Sequence, residues 1–237
     1  DISERLRHET VRRDFVANVS HELRTPLTVL SGFIENLQAD QGLQDERLRR
    51  PIELMRQQAA RMRQIVEDLL LLAKLEGEST QGREQEVVVG GMLRLVADEC
   101  RALGPQVAEI ECDIRSTRRV RGDEKQLRSA VTNLVANAVH HTSADGLITL
   151  LWADRGAKSL LEVSDDGEGI APEHLPRLTE RFYRVDSGRS RQRGGTGLGL
   201  AIVKHILKRH DATLEIKSRL GEGSRFICHF PASRLLG

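Results

Sequence analysis

Apolar residues return at intervals of three and four along the first third of the chain. Val11, Phe15, Val19, Leu23, Leu27, Leu30, Ile34 and Leu37 form one such series between Leu6 and Gln38, which predicts a helix with a single apolar stripe. Asp40, Gln41 and Gly42 interrupt it. A second series, Leu48, Ile52, Met55, Ala59, Met62, Val66, Leu69 and Ala73, alternates steps of four and three, the spacing of a heptad seam. Pro51 fits near the start of that helix and, if the helix begins at Asp45, costs one backbone hydrogen bond there. Two such helices joined by a short turn make an antiparallel hairpin, and a hairpin alone cannot enclose its own seam. A partner hairpin completing a four-helix bundle is the simplest solution, and packing of the stripes on the C-terminal part is the alternative.

Gly77 to Gly82 carries no periodicity and reads as a linker. Beyond it, alternation predicts strands near Glu86–Val89, Val107–Asp113, Leu147–Ala153, Ser159–Asp165, Thr213–Lys217 and Arg225–Phe230. Helical periodicity falls near Met92–Leu103, Glu124–His140 and Leu198–Arg209. Because strands and helices do not strictly alternate, the pattern predicts an α+β sandwich on a mixed sheet and not a doubly wound parallel one. The expected organisation is two domains: a helical hairpin over 1–76, a linker over 77–85 and a second domain over 86–237.

Composition narrows the function classes. Lys and Arg total 36 against 35 Asp and Glu, a net charge of +1, so no globally basic nucleic-acid-coating surface is expected. Aromatics are 3% of residues, too few for a base-stacking platform. Cys100, Cys112 and Cys228 have no C-x-x-C spacing, which fits a reducing compartment and argues against a Cys-ligated metal. The longest apolar run of the first third, Leu69 to Ala73, falls far short of the ~20 residues of a bilayer-spanning helix. The chain starts at Asp1 with no signal segment, and the expectation is a cytosolic piece of a longer protein.

The candidate chemistry begins on the first helix. At about 100° per residue, His21 lies about 200° from Val19 and from Leu23, so its imidazole is expected to face away from the seam. Glu22 follows it and Thr25 stands one turn on, on the same face. An imidazole of near-neutral pKa beside a carboxylate can attack an electrophile and lose its proton. Pro26 is expected to bend the helix one turn after His21.

Three clusters in the second domain add to this. Asn133 and Asn137 are four apart on one helix face, and carboxamide oxygens suit a hard Mg²⁺ ion. Asp165-Asp166-Gly167-Glu168-Gly169 follows an apolar strand, placing the Asp165 carboxylate where it can accept from an exocyclic amine. Gly194-Gly195-Thr196-Gly197-Leu198-Gly199 opens a helix, and glycine-rich backbone at a helix N-terminus presents free N–H groups to phosphate. It is no Walker loop, since no G-K-[ST] follows. Arg181, Arg184, Arg189, Arg191 and Arg193 just before it are expected to form a basic lid over an anion.

In order and spacing these segments resemble the kinase core of the sensor histidine kinases. Phe15–Leu27 is similar to the phosphoacceptor H box, Asn133–Ala138 to the N box and Asp165–Gly169 to the D-x-G-x-G box. Glu180–Arg184 is similar to the F box, Gly195–Gly199 to the G-x-G-x-G box and Gly221–Phe226 to a small terminal glycine box. The resemblance implies a dimeric phosphotransfer hairpin forming a four-helix bundle and a Bergerat-type (GHKL) ATP-binding α/β sandwich. It implies that His21 accepts the phosphoryl group with Glu22 as proton acceptor, that Thr25 supports a phosphatase activity, and that Asn137 holds Mg²⁺ with Asn133 close by. It further implies that Asp165, Gly167, Gly169, Arg184, Gly195, Thr196, Gly197, Leu198 and Gly199 bind ATP. Related ATPases that use water commonly carry Glu where Asn133 stands, and an amide cannot act as that base.

The implied partners are a second copy of the chain and the receiver domain of a response regulator, with no direct nucleic-acid contact. The wording of Val19–Leu30, Asn133–Thr142 and Ala171–Asp186 is most similar to family members that control the phosphate regulon. That implies a phosphate-starvation transcription factor as partner and a parent protein held in a bacterial inner membrane by upstream segments. His140 and His141 stand where many relatives carry Lys-Tyr, and Glu168 replaces a common Pro, so altered nucleotide contacts are expected. The alternatives are a sensor kinase of another regulon, and an ATPase clamp or docking scaffold of the same fold without histidine kinase activity.

Overall fold

The computed structural model describes residues 26–28, 30, 32, 49–77, 84–102, 108–185 and 196–237. Of the first predicted helix, residues 26–28, 30 and 32 are helical. His21, Glu22, Thr25, Gly195 and the lid arginines 189, 191 and 193 lie outside the described residues, as does most of the Gly77–Gly82 linker.

The second predicted helix is α1, Arg49–Gly77. It runs through Gly77, the first residue of the expected linker. The C-terminal part opens with β1 (Gln85–Val87) and α2 (Val89–Arg101), then β2 (Glu109–Ile114) and β3 (Arg119–Gly122). Next come α3 (Glu124–His141), β4 (Leu147–Arg155) and β5 (Lys158–Asp165), followed by α4 (Gly199–Arg209), β6 (Thr213–Ser218), β7 (Ser224–Phe230) and β8 (Leu235–Leu236).

Five strands form a mixed sheet in the order β2-β4-β5-β7-β6, with β2 parallel to β4 and every other pair antiparallel. Period-two alternation sets its faces. Ile148, Leu150 and Trp152 are buried on β4, while Thr149, Leu151 and Ala153 between them are partly exposed. The buried set joins Leu161, Val163, Phe226, Cys228 and Phe230 against Leu93 and Val96 of α2, Leu134 and Val135 of α3, and Ile202 and Ile206 of α4. Each such aliphatic side chain contributes roughly 1.5–3 kcal/mol. In this aromatic-poor core, Trp152 meets Phe230 edge-on at 5.9 Å and its indole N–H donates to the Arg118 carbonyl at 3.2 Å.

Two strands depart from the sequence reading. β3 and β8 form a second, three-stranded sheet with β1, in the order β1-β3-β8. Their segments are short, and β3 has one apolar residue, Val120, among arginines, so alternation is invisible there. Conversely, Val89, read as strand, opens α2, where Val89, Met92, Leu93 and Val96 form a helical apolar face.

The heptad series on α1 is not the main face that this chain buries, although its Leu69 lies partly buried against the core. Ile65, Leu72 and Leu75 are 0%, 1% and 6% exposed, whereas Ile52, Val66 and Leu70 remain 55%, 45% and 66% exposed. Val66 and Leu70 lie about 100° and 140° around the helix from Ile65. Leu72 and Leu75 are part of the core cluster of the C-terminal part, so α1 packs on that part with one stripe and leaves another open. Among the described residues, no helix is long and apolar enough to cross a membrane.

Candidate nucleotide and phosphotransfer site

The site is built where α3, the end of β5 and the start of α4 converge. Asp123 caps α3 by accepting the Gln126 N–H at 3.1 Å, and Leu127, Val131, Leu134, Val135 and Ala138 bury one side of the helix. Asn133 and Asn137 therefore emerge on an adjacent face, both half-buried. Asn133 donates from Nδ2 to the Ser129 carbonyl at 2.9 Å, and its Oδ1 lies so close to Gly199 that a Cβ there would sit 2.6 Å away. A side chain at Gly199 would push this amide out of its place. Asn137 has no hydrogen bond within the described residues, which leaves its carboxamide oxygen open.

The turn after β5 is anchored from three directions. Asp165 is 7% exposed, and its Oδ1 accepts the Gly167 N–H at 3.0 Å. Burial pushes its carboxyl above the usual carboxylate range, against the opposing pull of hydrogen bonds from the Gly167 and Ser224 backbone. Gly169 has φ of +68°, and a Cβ on it would meet the Arg219 carbonyl at 2.0 Å. The Glu168 carbonyl accepts the Gly221 N–H at 2.8 Å, so the β6–β7 hairpin clamps the turn. On the opposite side His141 Nδ1 sits 2.6 Å from Glu168 Oε1, and the Glu168 N–H donates to the His141 carbonyl at 3.3 Å. The two departures from the family pattern thus pair with each other and tie the end of α3 to the Asp165 turn.

The glycine-rich turn is closed by Phe182. Its N–H donates to the Gly197 carbonyl at 2.8 Å, and its backbone lies 2.9 Å from where a Gly197 Cβ would be, with Gly197 at φ +72°. Phe182 itself has φ of 63°, a conformation a bulky residue rarely adopts. Leu198 is fully buried and anchors the turn, and Arg184 is half-buried just past Phe182. The Thr196 hydroxyl accepts the Leu198 N–H at 3.2 Å and donates to Asp68 Oδ2 on α1 at 2.9 Å. Asp68 was not singled out in the sequence, although a lone carboxylate inside the stripe Ile65, Leu72, Leu75 was the signal for it.

The described residues contain no cluster of three or more His, Cys, Asp or Glu that could hold a metal ion. A hard divalent cation here would have to take an amide oxygen from Asn137 and most other ligands from phosphate and water, a donor set that Mg²⁺ accepts.

Comparison with known proteins defines the class. Residues 11–78 match the His Kinase A (phospho-acceptor) domain, and residues 122–234 match the Histidine kinase-, DNA gyrase B-, and HSP90-like ATPase domain. The chain belongs to the sensor histidine kinases and comprises the core of one, a phosphoacceptor domain followed by a GHKL ATPase domain. It is 48% identical over 228 residues to the phosphate regulon sensor protein PhoR of Pseudomonas aeruginosa, covering 96% of this chain and 52% of that protein. Against PhoR of Haemophilus influenzae it is 40% identical, covering 95% of this chain and 53% of the relative. The chain thus spans about half the length of the curated relatives it matches. Its fold is shared with histidine kinase ThkA, solved in complex with response regulator protein TrrA, at a TM-score of 0.74 and 22% identity, covering 97% of this chain and 64% of that one.

Proposed function

We propose that this core phosphorylates His21 from ATP and passes the phosphoryl group to an aspartate of a response regulator. The observation that carries the reading is the contact of Asn133 with Gly199, which sets the amide face of α3 directly beside the glycine-rich start of α4, with the buried Asp165 carboxylate tied to the same helix end. Phosphoryl transfer needs positioning and charge neutralisation more than covalent help. Asp165 would accept from the adenine amine, with Gly167 and Gly169 shaping its turn. The N–H groups around Gly195, Thr196, Gly197, Leu198 and Gly199, together with Arg184, would receive phosphate oxygens. Asn137 would hold Mg²⁺, which when bound offsets charge on the phosphates. Asn133 offers no base for water, which favours delivery to a side chain.

In the transfer itself, the lone pair of one imidazole nitrogen of His21 forms the P–N bond. The bond from the γ-phosphorus to the bridging oxygen breaks, and its electron pair leaves with ADP. The proton on the other imidazole nitrogen passes to Glu22. Thr25, one turn along, would orient water against the phospho-aspartate of the regulator and supply phosphatase activity.

The domain plan is a phosphotransfer hairpin over 1–76, a linker over 77–85 and an ATP domain over 86–237. The exposed Ile52, Val66 and Leu70 stripe favours a homodimeric four-helix bundle. Similarity to two phosphate regulon sensor proteins supports a role in phosphate starvation, a transcription factor of that regulon as partner, and a parent protein anchored in the bacterial inner membrane. Incubation with γ-labelled ATP and Mg²⁺ tests the reading. Acid-labile, base-stable label that disappears in His21→Gln is expected, and persistent label in that variant would overturn it.

A further inference from the structure

The described part of α1 is joined to the ATP domain by polar contacts as well as by packing, and one of them reaches into the glycine-rich turn. Asp68 is 7% exposed. Gln64 Nε2 donates to its Oδ1 at 2.9 Å and Thr196 Oγ1 donates to its Oδ2 at 2.9 Å, so both oxygens are held. A little over two turns further on, Glu76 pairs with Arg181 and lies 3.6 Å from His205 Nε2 on α4. Arg209 Nη1 donates to the Leu75 carbonyl at 2.9 Å and reaches that of Lys74 at 3.4 Å. Apart from the Gln64 to Asp68 bond within the helix, each of these contacts joins α1 either to α4 or to the two segments that pinch together at Phe182 and Gly197.

We infer that the Asp68 to Thr196 hydrogen bond is a latch that nucleotide phosphate opens, so that occupancy of the glycine-rich turn releases the ATP domain from α1. Thr196 has one hydroxyl proton. It cannot be donated to Asp68 and to a phosphate oxygen together. A triphosphate drawn to the turn also brings negative charge next to a desolvated carboxylate, and like charges in a poorly screened site repel strongly. Docking of α1 and binding of a triphosphate at this turn are therefore antagonistic. By linkage the antagonism is reciprocal: whatever factor nucleotide takes from docking, docking takes from nucleotide affinity. The domain that must travel to His21 is thus held to the hairpin by the side chain that competes with its own substrate.

The latch rests on the proposed function, since it requires phosphate at this turn. The test uses the full 237-residue chain, with a non-hydrolysable ATP analogue and Mg²⁺. Calorimetry would measure affinity in wild type, in Asp68→Asn, which keeps an acceptor for Thr196 without the charge, and in Glu76→Gln, which weakens the pairing with Arg181 and His205 and leaves the Asp68 to Thr196 hydrogen bond in place. Hydrogen exchange over residues 65–76 would report docking. Expected are about tenfold tighter binding in Asp68→Asn, a coupling in the usual range for linked sites, tightening in the same direction in Glu76→Gln, and faster exchange over 65–76 when the analogue is added to wild type. Equal or weaker binding by both variants, or unchanged exchange in nucleotide-loaded wild type, overturns the latch while leaving the kinase reading intact. Failure of all three proteins to bind the analogue overturns both.

Discussion

His210 Nε2 accepts the backbone N–H of Asp123 at 3.0 Å, while its Nδ1–H donates to the Ile206 carbonyl at 2.8 Å. The ring is 1% exposed and bonded at both nitrogens, so its tautomer is fixed and it joins the end of α4 to the cap of α3. Burial is the main cause that holds its pKa below the ordinary 6.5. Protonation therefore favours the unfolded chain, in which the ring titrates near that ordinary value.

The contribution of His210 is complete above about pH 6.5 and is lost as pH falls from there through the depressed folded value. Melting temperature measured from about pH 8 to about pH 5 is expected to fall on the acid side. His210→Leu, which leaves the Asp123 N–H without its acceptor, is expected to cost about 1–3 kcal/mol at neutral pH and to flatten that acid slope. A variant slope as steep as that of wild type would assign the acid sensitivity to another group.

Asn137→Ala separates chemistry from folding. Among the described residues the side-chain amide has no hydrogen-bond partner to lose, so denaturation should stay within about 0.5 kcal/mol of wild type. Autophosphorylation is expected to drop about 100-fold or more, because one charge-neutralising contact is gone. Label incorporation near the wild-type rate would remove Asn137 from the metal site.

Asp165→Asn tests the base of the nucleotide. An amide oxygen can still accept the Gly167 N–H, but an amide nitrogen now faces the adenine amine. Adenine nucleotide affinity is expected to fall roughly ten- to a hundredfold, the worth of a hydrogen bond to a charged group, and GTP should become the better competitor relative to wild type. An unchanged ATP-to-GTP preference would place adenine elsewhere.

Thr25→Ala should keep autophosphorylation of His21 and lose dephosphorylation of the regulator by about 100-fold, the usual cost of a mispositioned nucleophile. Equal loss of both activities in the purified variant would show that Thr25 serves the hairpin's structure instead.

What could be read from the sequence was local. The amides on α3, the carboxylate ending β5 and the glycines opening α4 each occupy a few consecutive residues, and helix or strand periodicity placed them before any contact was known. What could not be read was pairing at long range. Asp68 and Thr196 are 128 residues apart, and Arg181 and Glu76 are 105 apart, and nothing in either local pattern points to the other. His141 and Glu168 stood out as departures from the family, yet only the structure joins them. The heptad pattern on α1 likewise reports that a stripe is apolar and not which neighbour covers it: Ile52 and Val66 of that series stay exposed, whereas Ile65, Leu72 and Leu75 are the residues buried within this chain. Short β3 and β8 were missed because a strand of two to four residues carries too few alternations to register.

α1 holds its buried stripe and its exposed stripe on nearly opposite sides of one stiff cylinder. Both sets of side chains ride on one unbroken helix, so a rotation of that helix moves the two together. Whatever covers Ile52, Val66 and Leu70 therefore shares one rod with Leu72 and Leu75, with no loop between the two.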